Sequence, residues 1–284
     1  MRSTFPWAFI LLTSVGACQL PSSQPQAAMC GVRLITYDLA DTTVLLRFDP
    51  PVGFARAAVQ ANSFAGYLRH LPLKTFGANV HLYNSRLKNR QDVHAAVVDM
   101  TVGDKDLQQC ADAVMRLRAE YLFAADRKQE IAFNFTSGFK APFSRWMTGG
   151  RIRVIGNACS WVAGSDAGST HDDLLKYLDR VFTYAGTASL SKELKDCSTS
   201  AVQPGDVFIQ GGHPGHAVIV VDGANDGNGG QVFLLAQSYM PAQEIHVLKN
   251  PNDPNLSPWF KLNDGDELVT PEWTFRWDQR KRWP

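Results

Sequence analysis

A thiol, an imidazole and a carboxamide in this chain each stand where their chemistry has a use. Cys110 lies in Asp106-Leu107-Gln108-Gln109-Cys110-Ala111-Asp112, in the first turn or two of the strongest helical pattern in the sequence. The positive end of a helix favours a thiolate over a thiol, so a cysteine there is a candidate nucleophile. His216 follows Gly211-Gly212-His213-Pro214-Gly215 and opens the apolar run Ala217-Val218-Ile219-Val220-Val221. An imidazole at a strand entrance, with glycines beside it and an apolar floor behind it, is well seated to act as a general base. A second apolar run from Val232 to Tyr239 reads as the returning strand of a hairpin. With the turn centred near Asn225 to Gly229, the residues opposite His216 are close to Gln237 and Ser238. The amide oxygen of Gln237 is the preferred group to accept from the imidazole N–H. A slip of one residue in register would move it to the other face. Gln109 or Gln108 can supply an amide donor to a tetrahedral oxyanion.

The same residues have simpler explanations. Cys110 shares an apolar helix stripe with Leu107, Val114, Leu117 and Tyr121, and free cysteine is among the most often buried residue types. In an oxidising compartment Cys30, Cys110, Cys159 and Cys197 permit two disulfides in any of three pairings. Cys159, in Asn157-Ala158-Cys159-Ser160-Trp161, is a second candidate nucleophile, but no helix begins there. Cys197 and Cys30 lie in polar loops and read as disulfide partners or idle thiols. His213 reads as a loop residue, and His81, His94 and His246 show no metal-ligand spacing. Asn225 to Gly230 lacks the later glutamate of a calcium loop and reads as a turn. The tryptophans are scattered singly, as packing residues are. No phosphate-cradling or dinucleotide fingerprint is found, and no cofactor is expected.

The elements that must position these groups follow from periodicity. Helices are predicted around Phe64 to Leu71, from Asp106 to about Ala125 with Asp104 or Asp106 as cap, from Asp172 to Tyr184, and from Ser189 to Lys195. Strands are predicted at Thr43–Phe48, Val80–Tyr83, Val93–Met100, Ile131–Phe135, Arg151–Ile155, the two hairpin strands and Glu244–Leu248. The tail from Pro251 onward has no clear periodicity. The expectation is an α+β fold, an antiparallel sheet with helices packed on it, in a single domain over residues 50–284.

The chain has 284 residues, 45% of them hydrophobic, which suffices for a sizeable core. Its 28 Lys and Arg against 27 Asp and Glu imply no bulk attraction to nucleic acid or anionic lipid. Arg2, an apolar run from Phe5 to Val15, and Val15-Gly16-Ala17-Cys18 read as an export signal over residues 1–17, too short to span a bilayer. Residues 18–49 read as a tether and an N-terminal segment, polar and Gln/Ser/Pro/Ala-rich up to about Met29.

Three resemblances add to this reading. Val15-Gly16-Ala17-Cys18 resembles the lipobox of bacterial lipoproteins, which implies cleavage before Cys18 and acylation of that cysteine. With Gln19 after it, this implies sorting to the outer membrane of a Gram-negative host; the alternative is an ordinary cleaved signal. Gly205-Asp206-Val207-Phe208, the glycine-rich turn and Gly215-His216-Ala217-Val218 resemble the histidine hairpin of papain-like cell-wall amidohydrolases and peptidases. That implies an earlier cysteine opening a helix (Cys110), a histidine base (His216) and a polar residue on the next strand (Gln237), although Gln-Cys-Ala-Asp departs from the usual nucleophile motifs. Long segments, including Leu71-Pro72-Leu73-Lys74, Asp106 to Val114, Phe182 to Thr187 and Ala236 to Gln243, are similar to a bacterial domain-of-unknown-function family, numbered four-eight-four-six. That likeness implies an envelope-exposed bacterial protein. Two functions stay open: a cysteine amidohydrolase or peptidase acting on peptidoglycan or envelope peptides, and a non-catalytic envelope module that binds cell wall or another protein.

Overall fold

The computed structural model describes residues 42–164, 167–197, 201–261 and 267–284. The export signal, the tether, Cys18 and Cys30 lie outside the described residues. Within them the fold is α+β, as expected. A nine-stranded antiparallel sheet carries the site; seven of its strands run in the order His94–Val97, His246–Leu248, Gln231–Gln237, His216–Asn225, Val207–Gln210, Arg280–Arg282, Lys195–Asp196. Ala55–Arg56 pairs with the outer end of the His216 strand, and Phe260–Lys261 with the Gln237 strand.

The central strands are apolar on both faces because both faces are covered. Ala217, Ile219 and Val221 join a core shared with Val114 and Leu117 of the Cys110–Ala124 helix and with Leu174, Leu178 and Val181 of the His171–Tyr184 helix. Val218 and Val220 alternate onto the opposite face, where they meet Phe208, Phe233, Leu235 and Phe275. Phe275 comes from a small C-terminal hairpin, Glu267–Val269 with Thr274–Arg276. The far end of the His216 strand is tied by fully buried Asp222, which accepts from Arg56 Nε at 2.8 Å and from Arg69 at 2.7 Å. No helix of the described residues is long and apolar enough to cross a membrane.

Several sequence expectations are corrected. Thr43–Phe48 holds no strand: Val44–Arg47 is a helical turn, capped by the Thr43 hydroxyl and driven by burial of Val44 and Phe48, which overrides β-propensity. Those two residues place core ahead of Pro50. Val80–Tyr83 makes only isolated bridges, because the Gln91 carboxamide takes both main-chain groups of Val80. The third helix starts at Cys110 rather than Asp106, since Asp106 instead accepts from the Ala242 N–H at 2.7 Å and Asp112 caps Gln109 N–H at 3.1 Å. The short helix after Gly186 runs Thr187–Glu193, ending before Lys195. The Arg151–Ile155 strand begins at Gly150 and has a partner the sequence reading missed, Ala158–Ala163.

Candidate active site

The shift in helix start sharpens the place of Cys110. It is the first residue of its helix, where main-chain N–H groups have no carbonyl one turn earlier to bond. The N–H groups of Cys110, Ala111 and Ala217 lie against the sulfur and favour the thiolate. Ala217 directly follows His216, so the helix start and the strand start meet at this sulfur. Burial, with the Asp112 carboxylate adding to it, outweighs those donors and pushes the thiol up to about 11.

His216 is the first residue of its strand and is 1% exposed. The turn before it is shaped by glycine: Gly212 has φ +115°, and a Cβ on Gly215 would meet the Gly212 carbonyl at 2.5 Å and the Gln210 carbonyl at 2.8 Å. The imidazole packs against Tyr239, Trp273 and Phe275, with ring centroids at 4.8, 5.3 and 5.8 Å. This apolar surround pushes its pKa down to about 4, against the pull of its bond to Gln237.

Gln237 ends the neighbouring strand, and its Oε1 lies 2.9 Å from His216 Nε2. A bulge between Leu234 and Leu235 sets this register, pairing Leu235 with Val220 and Ala236 with Ile219. The polarity of the contact follows from the other side of the amide. Gln237 Nε2 donates to Glu272 Oε2 at 2.7 Å, and a carboxylate only accepts. Oε1 therefore faces the ring, His216 Nε2 carries the proton, and Nδ1 of the neutral imidazole is left as the base. The second amide hydrogen points at His246 Nε2, 3.4 Å away, and His246 Nδ1 donates to the Glu244 carbonyl at 2.9 Å.

Cys110, His216, Gln109, Asp112, Tyr239 and Trp273 line one cavity of about 480 Å³. Ser238, the other residue weighed opposite His216, lies with its Oγ 2.9 Å from the Gln108 carbonyl, pinning the approach to the Cys110 helix against the end of the Gln237 strand. The Gln108 oxygen accepts from Arg116 and its side chain lines a different cavity, while the Gln109 Nε2 donates to Asp106, so the N–H groups at the helix start are the better oxyanion donors.

Cys159 sits in a hairpin strand, 3.5 Å from Ser137 Oγ, and lines a different cavity. Cys110, Cys159 and Cys197 are free thiols, so no disulfide joins these three. Among the described residues no cluster of three or more His, Cys, Asp or Glu side chains is placed to hold a metal ion. Sequence reasoning missed Glu272, Trp273 and Phe275. Their one signal was Glu272-Trp273-Thr274-Phe275, an alternation in a tail read as aperiodic.

No curated protein and no solved structure matched the chain. Residues 44–282 match the family described as Domain of unknown function (4846), a span that holds every residue of this site. The chain belongs to that family.

Proposed function

We propose that this protein is a papain-like cysteine amidohydrolase or peptidase. The observation that carries the reading is the convergence of a cysteine at a helix start and a histidine at a strand start on one cavity, with the histidine oriented by Gln237. In the reaction, His216 Nδ1 takes the thiol proton as the Cys110 sulfur adds to the substrate carbonyl carbon. Helix N–H groups receive the oxyanion. The C–N bond then breaks, and the imidazolium returns its proton to the leaving amine. Water, deprotonated by His216, hydrolyses the thioester to release the acid and restore the thiol. The net change is amide plus water to acid plus amine.

The substrate class rests on the N-terminal sequence. An export signal ending in Val15-Gly16-Ala17-Cys18 supports a lipoprotein held on an envelope membrane through Cys18, where peptidoglycan peptides and envelope proteins are the available amides. Burial of Cys110 and its raised pKa favour the second reading, a non-catalytic envelope module that binds cell wall or a partner protein. The two separate when the folded domain is incubated with peptidoglycan fragments and the products are followed by mass spectrometry. The enzyme reading expects cleavage products that grow with time in the wild type and are missing from Cys110→Ala. Fragments retained uncleaved by both forms would support the binding module.

A further inference from the structure

The C-terminal hairpin reaches the site from the opposite face of the sheet, and besides Phe275 its turn touches the site at two points. Trp273 packs on the His216 ring, and Glu272, the residue before it, binds the Gln237 amide at 2.7 Å. The turn carrying both is closed by Thr270, whose N–H donates to the Trp273 carbonyl at 2.8 Å, and is tied down by Arg90, which donates to the Pro271 carbonyl at 3.0 Å. Glu272 does not hang free. Its second oxygen takes an ion pair from Lys88, and both side chains are about nine-tenths buried.

A carboxamide can present either end to a neighbour. With a neutral histidine beside it, Gln237 could accept from Nε2–H or, flipped, donate to a bare Nε2. The flipped state would put the imidazole proton on Nδ1, on the nitrogen that has to act as base. A carboxylate on the far side removes that choice, because it can pair only with the NH2 end. We propose that Glu272, held by Lys88, is a positioning residue that locks the Gln237 amide and thereby keeps His216 in the tautomer with Nδ1 free. This rests on the cysteine-hydrolase reading for its purpose, but the tautomer itself is a property of the resting protein. The hairpin is thus a working part of the site, contributed by the last stretch of the chain.

The test is 15N NMR of histidine-labelled protein at neutral pH, with His216 assigned by the loss of its signals in His216→Ala. The wild type is expected to show a single tautomer with the proton on Nε2. Glu272→Ala is expected to show a mixture with a substantial Nδ1–H population, together with slower Cys110 alkylation, on the order of tenfold. Glu272→Gln, whose one oxygen is claimed by the donor-only Lys88 so that its NH2 end faces Gln237, is expected to shift the proton toward Nδ1 as well, because a carboxamide cannot replace the carboxylate as a lock. Should loss of Glu272 leave buried Lys88 unpaired and unfold the protein, the double variant Lys88→Met, Glu272→Leu removes both charges and is read in the same way. An unchanged single tautomer in a folded variant lacking Glu272 overturns the proposal. Failure of the underlying reading looks different: Cys110 alkylation in the wild type would then be indifferent to His216→Ala, whatever the tautomer.

Discussion

His216→Ala is expected to slow alkylation of Cys110 by iodoacetamide at pH 7 by about 10²–10⁴-fold, the usual contribution of a positioned general base. The size is that of proton transfer to a positioned base in the transition state, and the two displaced pKa values set the pH range over which it is seen. With the thiol pushed up to about 11, very little free thiolate exists at neutral pH. With the imidazole pushed down to about 4, His216 is neutral and ready to accept the proton. The neutral thiol–imidazole pair and its thiolate–imidazolium tautomer carry the same number of protons. Their ratio therefore does not change with pH between those two limits. Wild-type labelling is expected to be nearly flat from about pH 5 to pH 9. In His216→Ala the only route is direct ionisation, so the rate should climb about tenfold per pH unit. Peptide mass spectrometry assigns the label to Cys110 rather than to half-buried Cys159 or Cys197. A steep wild-type profile that the substitution leaves unchanged would mean an ordinary buried thiol.

Acid should destabilise the fold through the same histidine and its neighbour. His216 falls to about 4 and His246 to about 3, in both cases mainly because burial disfavours the cation. Their ordinary value is 6.5, so above that pH both are neutral whether the chain is folded or not. Between 6.5 and about 4 the unfolded chain binds two protons that the native state refuses. Stability then falls with falling pH by about 1.4 kcal/mol per unit for each histidine, or roughly 3 kcal/mol each by pH 4. Asp112 works in the opposite sense, since burial holds its carboxyl well above the usual range and acid relieves the cost of keeping it charged. The clean reading is therefore a difference. Urea melts of His246→Gln against wild type should converge as pH drops, the variant's curve being flatter by about 1.4 kcal/mol per unit below pH 6.5. Parallel curves would mean that His246 is not held neutral.

Much of this arrangement is legible in the residues because it depends on local pattern. A cysteine in the first turn of a long helical stripe and a histidine between a glycine-rich turn and a β-branched run can be read without tertiary information. Gln237 was reachable by counting across the hairpin, although the bulge at Leu234/Leu235 is invisible to counting and sets the actual register. Glu272 and Trp273 were not legible: two short strands in a proline- and tryptophan-rich tail carry little periodic signal, and their role comes from packing against the far face of the sheet. Thr43–Phe48 and Val80–Tyr83 misled for a related reason. In both, side-chain capping or a carboxamide took over backbone groups that β-propensity assigns to a ladder.

The central claim is that Cys110 attacks a carbonyl and holds the acyl group. Its most direct measurement needs no knowledge of the natural substrate: mix the folded domain with an activated acyl ester such as a p-nitrophenyl ester, follow nitrophenol release by stopped flow, and locate the acyl group by peptide mass spectrometry. A burst of about one equivalent per protein is expected, with the acyl group on Cys110 and no burst in Cys110→Ala. Nitrophenol release that persists undiminished in Cys110→Ala, or an acyl group found on Cys159 and not on Cys110, would contradict it.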